Sequence, residues 1–386
     1  MTIFIITRGT PTKQDPQWGC FEYDQAKALA KTGHKVVVLS VDRRFRPFQQ
    51  KIGISSQTKD NVTTYNAFVL PNVIVRKIAG EKILYRLRVW LLKKLYQRAV
   101  AENGQPDVLY SHYVFITKEA VALRETYHVP LVAMEHWSEI QKPNIPARIL
   151  RMTDSYKNAD QVVAVSKSLQ KTLKEKFNVN ACVVYNMVGK DFHYKPGTSS
   201  GPVQYVAAGS LIPRKGYDLL IQAFSKVHLP KEQWHLNIIG SGKEKENLQQ
   251  LVEQYNLQDN ITLLGQRSKE EIVALYQQSD VFVLPSRMET FGVVYIEAMA
   301  CGLPVIATPC GGPEEFVNKD NGLLVPVNDV DQLAEAIEYM SRHYQEYDKQ
   351  AIADYCQARF SSEVIAKQLT DIFEDVVAKY HTKTIN

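Results

Sequence analysis

Two glutamates stand either side of a glycine in Glu289-Thr-Phe-Gly292-Val-Val-Tyr-Ile-Glu297. The apolar run Asp280-Val-Phe-Val-Leu-Pro285 precedes them and reads as a strand, and Val293–Ala300 reads as a helix. Glu289 then lies in a strand-to-helix loop, Gly292 admits a tight entry to the helix, and Glu297 falls about one turn inside it. Free N–H groups at a helix start, reinforced by the helix dipole, suit a pyrophosphate. Carboxylates in the loop and in the helix would grip hydroxyls on either side of it. The same spacing also accommodates Glu297 as a dipole-complementing acid and Glu289 as a solvated loop charge, so spacing alone leaves both readings open.

The first half offers weaker candidates. His136, in Met134-Glu-His-Trp-Ser-Glu139, comes just after a strand end, where a lone histidine is commonly structural. His112, in Tyr110-Ser-His112, also follows a strand end and faces the same cleft by topology. Gly19, in Gln17-Trp-Gly19-Cys-Phe-Glu22, fits a backbone approach to a ligand and equally an ordinary strand-to-helix turn. Ser166 reads as a helix N-cap. The sequence has no HExxH, its one DxD is Asp329-Val330-Asp331 next to the helix-like run that follows, and no metal is expected.

The elements that must position these residues alternate along the chain. Short β-branched runs and helix-length amphipathic segments follow one another from end to end, which predicts parallel sheets built from βα units. A Pro, Gly and Ser stretch around Lys195–Pro202 reads as a linker. At 386 residues the chain exceeds one ordinary core. Two Rossmann-like doubly wound α/β domains facing across a cleft are therefore expected, with ligands beyond the carboxyl ends of the strands. The expected divisions are 1–195, a linker at 196–202, 203–362, and a C-terminal helix over 363–386 that returns to the first domain.

Composition narrows the class further. Hydrophobic residues make up 45 % and charged residues 23 %, which are globular values. Five scattered cysteines without a CxxC support neither a disulfide framework nor a zinc site and fit a reducing cytosol. The opening Met1–Arg8 reads as a strand rather than a signal-peptide core. No apolar run approaches the ~18 residues that a membrane-spanning helix needs. The net charge of +5 conceals a split: 30 Lys/Arg against 16 Asp/Glu before residue 196, and 16 against 25 after it. Much of the excess lies in Arg76, Lys77, Lys82, Arg86, Arg88, Lys93, Lys94 and Arg98, with Ile83, Leu84, Leu87, Trp90, Leu91, Leu92 and Leu95 interleaved at helical spacing. A basic amphipathic helix carrying Trp has the composition of a membrane-surface segment. A core-packed helix with a solvated basic face has it too.

The Glu289–Glu297 pair, the following Glu-Ala-Met-Ala-x-Gly-x-Pro-Val and Gly311-Gly312-Pro-Glu314-Glu315 resemble the group 1 glycosyltransferases. These are retaining nucleotide-sugar enzymes of the GT-B architecture, of the kind used in bacterial polysaccharide and glycan biosynthesis. Gly209-Ser-Leu with Lys215-Gly216, Gly240-Ser-Gly242, the strand end at Gly265, Tyr185-Asn186 and Gly33-His34 extend the resemblance over nearly the whole chain. It implies Glu297 on the ribose hydroxyls, Glu289 facing the donor sugar, Phe291 and Gly292 N–H groups near sugar and phosphate, and Lys215 on the diphosphate. It also implies Gly19 in the glycine-rich loop and His136 on the donor sugar. The arginine that many relatives carry directly after the glycine matching Gly209 is Ser210 here, and Arg214 is the substitute expected.

The resemblance further implies a UDP- or GDP-linked sugar as donor, a glycan or lipid-linked acceptor on the first domain, and no cofactor or metal. An enzyme peripheral on the cytoplasmic leaflet, docked by the 76–98 helix, is the expectation that joins these to the charge pattern. Other classes fit less well. No nucleic-acid module is present. The third glycine of a GxGxxG starting at Gly240 would be Lys245, and no GxxxxGK[ST] occurs. A sugar-nucleotide 2-epimerase of the same architecture and a basic-surface binding protein without catalysis remain the alternatives.

Overall fold

The structure is a computed structural model that describes residues 1–12, 15, 18–42, 53–68, 72–142, 144–197 and 201–385. At 72–79, 148 and 383–385 only the backbone is described. In chain order the first elements are β1 (Thr2–Thr7), α1 (Cys20–Lys31), β2 (Lys35–Asp42), β3 (Gly53–Lys59), β4 (Val62–Phe68), α2 (Asn72–Asn103) and β5 (Val108–His112). They are followed by α3 (Val114–Tyr127), β6 (Leu131–Glu135), α4 (Ala147–Thr153), β7 (Gln161–Ala164), α5 (Lys167–Phe177) and β8 (Ala181–Val183). Then come β9 (Val203–Ala208), α6 (Tyr217–Lys226), β10 (Trp234–Ile239), α7 (Lys245–Gln254), β11 (Ile261–Gly265), α8 (Lys269–Gln277) and β12 (Val281–Val283). The last are α9 (Val293–Ala300), β13 (Val305–Ala307), β14 (Gly322–Leu324), α10 (Val330–His343), α11 (Lys349–Phe360) and α12 (Ser362–Ile385).

Two units divide the chain: residues 1–185 with 362–386, and residues 186–361. The break comes before the expected linker. Residues 186–195 are held in the second unit, where Val188 N–H donates to the Phe360 carbonyl (2.8 Å) and Lys269 pairs with Asp191 (2.8 Å). Of the expected linker, 198–200 lies outside the described residues.

The first unit carries a sheet ordered β3-β4-β2-β1-β5-β6-β7-β8, parallel except for β3, which pairs antiparallel with β4. Asp60 (φ 54°) and Asn61 (φ 60°) form the two-residue turn of that hairpin, a position where short polar side chains tolerate positive φ. Strand residues point alternately to the two faces. Phe4, Ile6, Val37, Leu39, Tyr65 and Leu109 form one core with Leu92, Leu95 and Tyr96 of α2 and Ile116, Ala120 and Leu123 of α3. α1 packs against β2 and α12. α12 is anchored there by the Tyr110–Phe373 ring contact at 5.1 Å and by His34 Nε2, 2.9 Å from Thr370 Oγ1. Gly80 (φ 79°, ψ 168°) kinks α2, so the basic segment expected to run as one helix over 76–98 is broken there. α4 runs directly into a 3-10 turn at Asp154–Asn158. Ser166 caps α5 by accepting the Leu169 N–H at 3.1 Å.

The second unit carries a fully parallel sheet ordered β11-β10-β9-β12-β13-β14. In each sheet the chain builds outward from the central strand and then returns to its other side. The reversal falls between β1 and β5 in the first sheet and between β9 and β12 in the second. Backbone groups beyond those strand ends are left without sheet partners, which is why ligands bind at such reversals.

Candidate functional site

In the second unit the strand ends at the reversal carry the charged residues. After β9 the chain passes Gly209, Ser210 and a 3-10 turn at Pro213–Lys215, then enters α6 through Gly216. Lys215 Nζ donates to Glu289 Oε1 at 2.6 Å, and Ser286 Oγ donates to the same oxygen at 2.7 Å. Lys215 is 8 % exposed and Glu289 5 %, so the pair is shielded from water on most sides. Such a pair is neutral overall, and its lysine meets an arriving anion only by sharing its proton donors. Arg214 is half-buried, and no side-chain partner for it is found among the described residues. Ser210 is exposed.

Arg287 fastens the Glu289 loop to the Lys215 turn. Its guanidinium donates to both Asp218 carboxylate oxygens (2.8 and 2.7 Å), to the Pro213 carbonyl (2.6 Å) and to Asn328 Oδ1 (2.8 Å). Its backbone N–H donates to the Arg214 carbonyl at 2.8 Å. Burial pushes the Asp218 carboxyl up, but the Arg287 hydrogen bonds and charge more than offset this and hold it below its ordinary value. Gly216 fits the same junction, since a Cβ there would come within 2.1 Å of the Pro285 carbonyl oxygen.

α9 begins at Gly292, whose φ of 94° and ψ of 61° turn the chain into the helix without a side-chain cap. A Cβ at Gly292 would lie 2.7 Å from the Tyr295 ring. The Phe291 ring is buried between Phe316 and Phe360, so only its backbone is on the loop side. Glu297 is half-buried one turn into α9. Tyr217 was not picked out by its sequence context. Its buried hydroxyl has no hydrogen-bond partner among the described residues and lies 3.2 Å from where a Gly209 Cβ would be.

In the first unit the reversal brings β1 and β5 side by side. Arg8 follows β1 and donates to Glu22 Oε1 at 3.0 Å, with its guanidinium 4.6 Å from the ring centroids of both Trp18 and Tyr113. Burial raises the Glu22 carboxyl, and Arg8 counters it. Gly19 is the N-cap of α1 at φ 71°, and a Cβ there would lie 2.1 Å from the Gly9 carbonyl oxygen. Close packing of the two ends of the β1–α1 loop thus requires glycine at 19. Gln17 of this loop lies outside the described residues.

His112 ends β5, fully buried, with Nδ1 3.0 Å from His136 Nε2. Burial first, then His136 and Arg8, hold the His112 imidazole well below its ordinary value. Tyr113, next in line, adopts φ 68° and ψ 141°, a strained conformation for a bulky residue. Its ring lies 5.2 Å from the His136 ring.

Glu135, at the end of β6, holds this arrangement from below. One carboxylate oxygen accepts the N–H groups of His136 (2.8 Å) and Trp137 (2.6 Å). The other accepts the Val114 N–H at the start of α3 (2.9 Å) and the Tyr156 hydroxyl. Glu135 is fully buried, and burial raises its carboxyl to about 7 against these four hydrogen bonds. Its one sequence signal is an acid at the end of the otherwise apolar run Leu131–Glu135, beside His136.

The candidates therefore fall into two sets. Lys215, Glu289, Arg214, Phe291 and Gly292 gather at the reversal of the second sheet, with Glu297 one turn further along α9, and Gly19, His112 and His136 lie at that of the first. Ser286, Arg287, Asp218, Glu135 and Arg8 join them from the structure. Among the described residues no group of His, Cys, Asp or Glu is arranged to hold a metal ion.

Two α/β units, one sheet fully parallel and the other parallel but for its edge strand β3, each with charged residues at its reversal, have the GT-B fold. The glycosyltransferase group 1 family matches residues 190–354, and glycosyltransferase family 4 matches residues 23–192. An uncharacterized glycosyltransferase of Methanocaldococcus jannaschii is 31 % identical over 288 residues, covering 72 % of this chain and 78 % of the relative. A GDP-mannose-dependent monoacylated alpha-(1-6)-phosphatidylinositol monomannoside mannosyltransferase of Corynebacterium glutamicum is 34 % identical over 187 residues, 46 % of this chain and 48 % of that one. Among solved structures, the sucrose-phosphate synthase of Thermosynechococcus elongatus superposes with a TM-score of 0.78 at 21 % identity, covering 98 % of this chain and 99 % of that one. The chain belongs to the group 1 glycosyltransferases of GT-B architecture, and its activity is glycosyl transfer.

Proposed function

We propose that the protein moves a sugar from a UDP- or GDP-linked donor to a glycan or lipid-linked glycan, with retention and without a metal. The buried Lys215–Glu289 pair beside the α9 N-terminus is the observation that carries this reading. A diphosphate leaving group gains negative charge as the glycosidic bond breaks, and a preorganised cation with helix N–H groups stabilises that charge. Arg214 is proposed as the second cation in place of one at Ser210. Glu297 is proposed for the ribose hydroxyls, Glu289 and His136 for those of the sugar, and Gly19 for a backbone contact in the first unit. His112 is the acceptor-side candidate.

Retention is proposed to proceed by attack on the leaving-group face. The acceptor oxygen bonds to the anomeric carbon as the carbon–phosphate-oxygen bond breaks, and the acceptor proton passes to a departing phosphate oxygen. Glu289, engaged by Lys215 and Ser286, serves recognition in this scheme rather than covalent catalysis. The Corynebacterium relative, a GDP-mannose-dependent mannosyltransferase acting on a phosphatidylinositol monomannoside, supports a nucleotide sugar and a lipid-linked acceptor. The proposed setting is the cytoplasmic face of a membrane. No described helix is long and apolar enough to cross one.

Thermal-shift screening with UDP, GDP and ADP, then with their sugars, tests the donor. Stabilisation by UDP or GDP and their sugars is expected, and no shift with any nucleotide overturns the reading. Incubation with donor alone separates transfer from 2-epimerisation, since an epimerised nucleotide sugar would establish the alternative. The anomeric coupling in the product distinguishes retention from inversion.

A further inference from the structure

We infer that the outward face of α2 between Lys82 and Gln97 is a docking surface for an anionic lipid leaflet. The inference deepens the proposed lipid-linked acceptor by naming the surface that brings the enzyme to it. It starts from how α2 divides its side chains. Leu84, Leu92, Leu95, Tyr96 and Ala99 are buried, and the helix packs on β2, β4 and α3. Arg88 turns inward with them, 7 % exposed and 2.8 Å from Glu119, so it is no part of any outer surface. The side chains of Arg76 and Lys77 lie outside the described residues.

The opposite face has a second apolar set. Ile83 and Trp90 are each 54 % exposed. With the half-buried Leu87 they recur at i, i+4 and i+7, which places all three on one side of the helix. Neither Ile83 nor Trp90 is needed to fill the core behind them. Lys82, Arg86 and Lys94 are exposed around them and Lys93 is half-buried, and none of these four meets an acid among the described residues. Arg98 is instead tied to Glu102 at 2.9 Å.

Charge complementarity then selects the occupant. Apolar side chains ringed by unneutralised cations match the headgroup boundary, where Trp and Ile enter the acyl edge and long basic chains reach lipid phosphates. A purely solvated basic face would place polar residues at 83 and 90. A nucleic-acid phosphate backbone would use the cations and leave Ile83 in water.

Co-sedimentation of the full chain with phosphatidylcholine vesicles, with and without phosphatidylglycerol, tests this at low and high salt. Binding is expected only with phosphatidylglycerol, weakening with salt, together with a blue shift of tryptophan emission that Trp90→Phe abolishes. Each charge removed in Lys82→Glu, Arg86→Glu and Lys94→Glu should weaken binding by about fivefold or more, and Trp90→Ala by about tenfold. Unchanged melting temperatures and unchanged nucleotide-induced shifts would show that these variants fold and keep the donor site. No pelleting of the wild-type chain overturns the inference. So does pelleting that survives both Trp90→Ala and the charge reversals, or equal competition by duplex DNA. A chain that ignores vesicles yet is stabilised by UDP or GDP loses the docking surface alone. One that binds vesicles by this face but no nucleotide keeps it and loses the donor reading.

Discussion

His112 Nδ1 stands 3.0 Å from His136 Nε2, with the two rings 14° from parallel, so the imidazoles share a single hydrogen. Two hydrogens cannot both lie between nitrogens 3.0 Å apart, so only one of the facing nitrogens carries one. The buried Nε2 of His112 has no partner among the described residues. An orphaned N–H is the rarer group to bury, so the hydrogen is assigned to His112 Nδ1, with His136 Nε2 accepting. His136 then carries its own hydrogen on Nδ1. Glu135 fixes the backbone of His136 while His112 fixes its ring.

His112 and Glu135 should oppose one another in the pH dependence of stability. His112 is held well below 6.5, so its contribution is present above about 6.5 and lost as pH falls. Glu135 is raised from 4.5 to about 7, so its contribution is present below 4.5 and lost as pH rises through 7. Glu135→Gln removes the second effect. Its stability should therefore fall more steeply than the parent's on acidification from about pH 7 to 5, by at most about 1.4 kcal/mol per pH unit. Urea unfolding across that range is the measurement, and parallel curves would refute the assignment.

Lys215→Ala should lower turnover by roughly 10²- to 10³-fold and remove stabilisation by UDP or GDP. It also strands the buried Glu289 carboxylate, at a cost of about 3 kcal/mol. Lys215→Ala with Glu289→Gln should regain most of that stability and none of the activity. Near-normal turnover of the single variant would take Lys215 out of the site.

Arg287→Lys should behave as a loss despite keeping its charge. An ammonium cannot reproduce the fork onto Asp218 together with the Pro213 and Asn328 contacts. A fall of about 1–3 kcal/mol in stability and about tenfold in kcat/KM is expected as the two loops loosen. Calorimetry and steady-state kinetics that match the parent would show that the staple is dispensable.

Glycosyl transfer should persist in EDTA and gain nothing from Mg²⁺ or Mn²⁺. Dialysis against EDTA followed by metal add-back is the test. Activity that disappears and returns with metal would defeat the proposed metal-independent stabilisation by Lys215, Arg214 and α9.

Much of this protein is written locally. The periodicity of Thr2–Thr7, Val293–Ala300 and Val330–His343 announces strand and helix, because a strand or helix needs one apolar face whatever packs on it. The Glu289–Glu297 spacing and the glycines around it are local as well, and they name the family. β3 and β4 were not legible: Gly53–Lys59 is an exposed, mostly polar edge strand, stabilised by pairing rather than by burial. The break at Gly80 was hidden because the basic and apolar repeat continues across it.

What only the tertiary structure decided are contacts between residues remote in sequence. Lys215 meets Glu289 across 74 positions and His112 meets His136 across 24, because strand order at the sheet reversals, not spacing, sets which ends adjoin. Arg88 and Arg86 read alike in the sequence, yet Arg88 faces α3 and finds Glu119 while Arg86 remains outside. A helical pattern gives each side chain an angle about the axis. Only the packed sheet and α3 decide which angle is interior, and so which charges are neutralised and which are left for a partner.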